Sequence, residues 1–299
     1  MRADDQPPRP QLRQLAAPPP RDFPTVSSFV FGTRGSDLAL AQTRLASALL
    51  QKEHPGLVIE TRIIKTTGDA RLDVSLAAPG SLEKGLFTKE LEEALFRGEI
   101  QAAVHSLKDL PTEVPPGLAL GAILERADPS DVLISKYPGG LTALPEGALV
   151  ATSSPRRKAQ LLNVRPDLRV EEIRGNVPTR LRKLAESPTL QGLVLAKAGL
   201  DRLGDIVPVG LHVSIIAEML PAPGQGAIAI ECRDGDTDTL SLLAAIHHEP
   251  TAQCVFAERK LLSSLGGGCS LPVGALATWE NGKVTLRSFP PEHASNLTL

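Results

Sequence analysis

Arg34 in GTRGS, Lys108 in HSLKDLP, Arg156 and Arg157 in TSSPRR, and Arg174 in IRGN each follow a short apolar run, with Arg180 one to two turns after the last. In open α/β sheets the carboxyl ends of strands, with the loops and helix N-termini beyond them, are where ligands gather. A guanidinium fork grips a carboxylate or a phosphate through two parallel hydrogen bonds. Cations placed this way in a chain of net charge −2 point to a polyanionic small molecule. TSSPRR is an anion site by composition: Ser154 suits the N-cap, Pro155 suits the first helical position, and Thr152 and Ser153 add hydroxyls. No GxxxxGK[ST] loop occurs, so carboxylates fit these cations as well as phosphates do.

Two further residues could do chemistry. Asp109 stands directly after Lys108 and before Leu110-Pro111. It reads as a turn cap, or as a carboxylate that stays ionised among cations and stabilises positive charge developing on a substrate. Cys269 lies in SSLGGGCSLPVG, behind three glycines that offer nothing to bury a thiol. A flexible hinge with an incidental cysteine and a functional thiol both fit that stretch. His105 reads as structural, and neither a Ser-His-Asp set nor a metal cluster can be assembled, so no metal is expected.

Composition narrows the classes. Cys232, Cys254 and Cys269 are odd in number and lack CxxC spacing, which fits a reducing compartment rather than a disulfide framework or zinc site. Aromatics make up only 3%, which argues against base-stacking platforms for nucleic acid. No run nears the roughly 18 apolar residues of a membrane span. The first 25 residues are proline-rich and lack an apolar core segment, so they read as a disordered tail and not a secretory signal. A cytoplasmic protein is expected.

Strand and helix signals alternate along the remaining chain. VSSFVFGT, LVIETRIIK, AAVHS and LALGAI read as strands, with a helix begun at Ser36 or Asp37 and another over TKELEEALFR. After DPSD the pattern restarts with DVLIS, ALVAT, LRVEEI and GLVLAK, and helices are predicted over 155–164 and 178–186. Such alternation predicts parallel or mixed sheets covered on both faces, here two α/β domains with a cleft between them. GAIAIECR at 226–233 is a strand that returns to the first domain. The helix TAQCVFAERKLLSSL then leads to the glycine loop, and LPVGALATW and KVTLRS are two final strands.

GTRGSDLALAQ, TTGD, GLFTKELEEAL, VHSLKDLP, TSSPRRKAQL, IRGNVPTRLRKL, PGQGAIAIECR and LGGGCSLPVGA occur in the order of the porphobilinogen deaminase family, which the chain resembles over about residues 28–288. The resemblance implies a transferase that deaminates four porphobilinogens and joins them head-to-tail into the linear tetrapyrrole hydroxymethylbilane, in haem biosynthesis. It implies two α/β domains resembling periplasmic binding proteins (26–124 with 226–246, and 128–222). A third small α+β domain over 250–299 carries the cysteine. It implies a dipyrromethane cofactor held by a thioether to Cys269, and Asp109 as the catalytic carboxylate beside a cationic azafulvene-like species. Arg34, Ser36, Lys108, Thr152, Ser153, Ser154, Arg156, Arg157 and Arg174 then match positions around the cofactor's carboxylates. Arg34, Arg174, Arg180 and Lys84 match positions for substrate. A monomer without nucleic-acid or membrane partners is implied too.

Four departures bear on these expectations. Pro155 and Pro223 replace an aliphatic residue and a valine. The loop over 70–85 is about two residues longer than usual and lacks a second lysine. The chain ends at Leu299, short of the family's further strands and helix, so the third domain is expected to be incomplete. The competing reading is a non-catalytic polyanion binder, which has no need of Asp109 or Cys269.

Overall fold

The computed structural model describes residues 28–70, 87–267 and 271–290. Lys84, Cys269, the proline-rich tail and residues 291–299 lie outside them. The first lobe begins with β1 (Phe29–Thr33), α1 (Asp37–Glu53), β2 (Ile59–Ile63), the short α2 (Thr67–Ala70) and α3 (Lys89–Phe96). It continues with β3 (Ala102–Ser106) and β4 (Leu118–Ile123). The chain then crosses to a second lobe of β5 (Asp131–Ser135), β6 (Leu149–Ala151), α4 (Pro155–Val164), β7 (Arg169–Glu171), α5 (Val177–Glu186), β8 (Gly192–Ala196), α6 (Lys197–Leu203) and β9 (His212–Ile215). It crosses back as β10 (Ile228–Arg233), followed by α7 (Thr237–Ala244), α8 (Glu249–Ser264) and the hairpin β11 (Gly274–Glu280) and β12 (Lys283–Phe289).

The two five-stranded sheets share one plan. Their orders are β2-β1-β3-β10-β4 and β7-β6-β8-β5-β9. In each, three parallel strands are followed by an antiparallel one, β10 or β5, which is the strand that has just arrived from the other lobe. The return of 226–233 to the first sheet is therefore seen directly. The fold is the expected α/β class, with two sheet-bearing domains and a small C-terminal sheet.

Both sheets are covered on two faces, as near-continuous apolar strands require. In the first, Phe29, Phe31, Val104, Ile228 and Ile230 pack on Ala46 and Leu50 of α1 and Leu243 of α7, while Ala103 faces Leu91 and Leu95 of α3. In the second, Val132, Ile134 and Leu193 face Leu181 and Leu184 of α5, and Leu133, Val150 and Val194 face Leu161 of α4. Helix starts follow the chemistry of their caps. Ser36 accepts from the Ala39 amide at 3.3 Å, and Ser154 accepts from the Arg157 amide ahead of Pro155.

The crossings meet at Gly226. Its φ is +89°, and a Cβ there would sit 2.5 Å from the Ala127 carbonyl oxygen of the outgoing crossing. Only glycine allows the two strands of the hinge to pass so closely.

Candidate active site

The residues singled out above sit at the carboxyl ends of parallel strands. Arg34 lies between β1 and α1. Lys108 and Asp109 form a single 3-10 turn after β3. Thr152 to Ser154 follow β6, and Arg174 follows β7. Arg34, Ser36, Ser106 and Asp109 line one pocket in the first lobe, whose floor includes His105 and Gln42. Gln42 and Ser106 hold one another through amide and hydroxyl at 2.8 and 3.1 Å. The Arg34 guanidinium stacks over the Phe87 ring, 4.2 Å from its centre. Asp109 itself is exposed to the cleft.

The second lobe faces this acid with cations. Burial pushes the Arg180 guanidinium below its ordinary pKa; Arg157 and Arg174 push it further the same way, and the Asp109 carboxylate acts against them. Arg180 also donates to the Gly175 carbonyl at 2.7 Å, which fixes its side chain over the start of α5. Lys108 is lowered to about 8, chiefly by burial, with Asp109 and Asp131 opposing and Arg157 and Arg156 adding to the fall. The electrostatic couplings therefore join Asp109, Lys108, Arg157, Arg174 and Arg180 into one cluster drawn from both lobes.

Arg156 and Arg157 lie in the first turn of α4, within the helix predicted over 155–164, but the cations that TSSPRR offers to an anion are themselves buried around the buried carboxylate of Asp131. Arg156 Nη1 donates to Asp131 Oδ2 at 2.6 Å and to the Leu220 carbonyl. Arg157 donates to Asp131 Oδ1 from Nε at 3.0 Å and Nη2 at 2.8 Å, and from Nη1 to the Val194 carbonyl. Burial alone would raise the Asp131 carboxyl, but Arg157 and Arg156 outweigh it and hold it well below the usual carboxylate range. The motif gives no sign of this partner, because Asp131 is 25 residues away from Arg156. The hydroxyls of the same loop are also engaged: Ser153 bridges to the backbone of Ile173, and Thr152 accepts from the Ser154 amide.

A residue that motif reading passes over joins the lobes. Gln225 is almost wholly buried and accepts from Lys108 Nζ at 3.3 Å. Its amide nitrogen donates to the Pro129 carbonyl and to Asp131 Oδ1 at 2.9 Å. Lys108, beside the acid, is thus linked through Gln225 and Asp131 to the arginines of α4.

The chain is also similar to known proteins over most of its length. The family model described as "Porphobilinogen deaminase, dipyromethane cofactor binding domain" matches residues 29–241, and the model of the C-terminal domain matches 252–289. A curated porphobilinogen deaminase of Syntrophomonas wolfei is 50% identical over 264 residues, covering 86% of this chain and 83% of that one. One from Desulforudis audaxviator is 51% identical over 259 residues, covering 87% and 82%. The chain belongs to the porphobilinogen deaminase family.

The family's dipyrromethane carries several carboxylates, and the residues present suit such a group. Four cations, Lys108, Arg157, Arg174 and Arg180, coupled to one another and to Asp109 in one cleft, supply the charge, and guanidinium forks suit carboxylate groups. Cys232 and Cys254 are buried, and burial raises their thiols, Cys232 to about 12. Neither is poised to act as a nucleophile.

Proposed function

We propose that this chain condenses four porphobilinogens into hydroxymethylbilane, releasing one ammonia from each, with dipyrromethane bound through the Cys269 sulfur as primer. The observation that carries the reading is the Asp109 carboxylate set opposite Arg180 and beside Lys108, one acid among cations from both lobes. When bound, the cofactor supplies the free pyrrole position at which the chain is extended. Arg34, Ser36, Lys108, Thr152, Ser153, Ser154, Arg156, Arg157 and Arg174 hold its acetate and propionate groups. For Arg156 and Arg157 this is a second task beside Asp131. Arg34, Arg174, Arg180 and Lys84 hold the incoming substrate.

The Asp109 carboxylate faces the positive charge left on the substrate when ammonia departs. An ordered water cannot substitute for it, since a fixed charge needs no reorganisation as the cation forms. Cys269 is favoured as the attachment point by the burial of the other two thiols. We assign the three domains to 26–124 with 226–246, 128–222, and 250–299. We read the protein as a cytoplasmic monomer; none of the described helices is long and apolar enough to cross a membrane.

The test is mass spectrometry of the purified protein together with an ammonia-release assay. An adduct of two linked pyrroles, and ammonia released from porphobilinogen, are expected. An unmodified chain that binds porphobilinogen without releasing ammonia would instead be a binder.

A further inference from the structure

α8 packs Ala252 and Val255 in one buried cluster with Leu110, and it reaches the backbone after Asp109 through Arg259. Arg259 is buried and donates from Nη1 to the Leu110 carbonyl at 3.2 Å and from Nη2 to the Pro111 carbonyl at 2.6 Å. These are the first two carbonyls after the acid. Leu110 has left the 3-10 turn for extended backbone, and Pro111 has no N–H with which to anchor the chain. A forked donor that binds both carbonyls fixes the direction in which the chain leaves Asp109.

The preceding residue on the same helix has a matching task. The buried Glu258 carboxylate takes both guanidinium nitrogens of Arg126, at 2.7 and 3.0 Å, and the amides of Gly224 and Ala277. Adjacent charged residues of α8 therefore grip the hinge and the exit from the acid. At the end of α8, Gly267 (φ +61°) lies against the same segment: a Cβ there would be 3.1 Å from Thr112 Oγ1.

We propose that Arg259 is a positioning residue for the reaction, setting the Asp109 carboxylate at a fixed place in the cleft through the Leu110 and Pro111 carbonyls. The inference rests on the catalytic reading of Asp109. Misplacing a reacting group by about 1 Å costs roughly a hundredfold in rate, so loss of the fork acts on kcat. KM is spared, because the cations that take the substrate carboxylates are on other elements.

The experiment uses the holoenzyme and six forms: wild type, Arg259→Met, Arg259→Lys, Asp109→Glu, Asp109→Asn and the double variant Asp109→Glu/Arg259→Met. Adduct mass, Tm, kcat and KM are measured for each. Methionine keeps the stem volume without donors, whereas lysine keeps the charge but cannot serve both carbonyls with a planar fork. Arg259→Met is expected to retain the adduct, keep KM within about threefold, and lower kcat about 10- to 100-fold, with Arg259→Lys between it and wild type. In the Asp109→Glu background, where the carboxylate is already displaced, the methionine change is expected to cost less than about threefold, since two changes acting through one group are not additive.

Full multiplication of the two effects would overturn the proposal, as would a rise in KM alone or a kcat loss that only tracks falling Tm. If Arg259→Met does not fold, Arg259→Lys is read against the same criteria. A fully active Asp109→Asn would sink the catalytic reading itself, whereas an inactive one with independent Arg259 effects sinks only this inference.

Discussion

Asp131→Asn should be felt in the stability of the molecule more than any other single-atom change near the cleft. The wild-type carboxylate is wholly buried and accepts from Arg156 Nη1, from Arg157 Nε and Nη2, and from Gln225 Nε2, at 2.6 to 3.0 Å. Asparagine keeps the size but turns an NH2 group toward guanidinium donors and leaves two buried cations without their counter-charge. Breaking a buried pair from one side costs about 3–5 kcal/mol. At about 2–3 °C per kcal/mol for a chain of this length, Tm falls by about 6–15 °C at pH 7.

The pH dependence gives a second signature. The Asp131 carboxyl is held well below its ordinary value by Arg157 and Arg156. A depressed carboxyl contributes stability that is fully present above the unfolded pKa, about 3.9, and is lost as pH falls from there toward the folded value. The Tm gap between wild type and Asp131→Asn is therefore constant from pH 7 to about pH 5 and narrows below about pH 4. Calorimetric melts of both proteins between pH 3 and 7 measure it. Equal melting at pH 7, or a gap that does not narrow below about pH 4, would refute the assignment of Asp131 as the counter-ion of α4.

Asp109→Asn is expected to fold and to bind substrate, yet release ammonia about 10²–10³ times more slowly, with Asp109→Glu retaining part of the rate; near-normal release by the Asn variant would leave the residue a turn cap. Cys269→Ala is expected to melt like wild type but show no pyrrole adduct by mass, whereas Cys232→Ser and Cys254→Ser keep the adduct; an adduct on either of those would overturn the attachment site. Because burial lowers Lys108 to about 8, its cation is lost as pH rises through that value, its hold on the bound cofactor's carboxylates weakens, and kcat is expected to fall above pH 8. The unfolded lysine holds its proton to about 10.5, so this group's contribution to stability rises between pH 8 and 10.5, and Lys108→Gln should abolish both trends. Gly226→Ala forces a side chain into a positive-φ position against the Ala127 carbonyl and is expected to lower stability by about 2–4 kcal/mol in urea unfolding.

Local pattern was enough for much of the architecture. The largely apolar runs at 29–33, 102–106, 131–135, 192–196 and 228–233 are central strands of the two sheets, since a strand buried on both faces is nearly continuous in apolar residues. Ser36 and Ser154 announce their helices because capping chemistry needs only neighbours within three residues. Four elements escape such reading. α2 is a single turn, α6 begins directly at the end of β8 without a side-chain cap, β9 is a four-residue edge strand with mostly exposed residues, and α7 is two turns long. Each is too short for its periodicity to stand out, and α6, β9 and α7 are held by packing against a finished sheet.

For the site, the sequence by itself determined which side chains stand at the ends of strands: Arg34, Lys108 with Asp109, Thr152 to Arg157, Arg174 and Arg180. Tertiary structure decided what those side chains face. Asp131 reads in sequence as the end of a turn-rich DPSD, and it becomes the counter-ion of Arg156 and Arg157 only because β5 enters the second sheet beside β8, under the start of α4. Gln225 likewise meets Lys108 across 117 residues only once β10 has returned to the first sheet. Sequence spacing reports contacts within one turn or one hairpin, whereas partners of buried charges are set by strand order. That order follows from how the whole set of apolar faces can be covered at once.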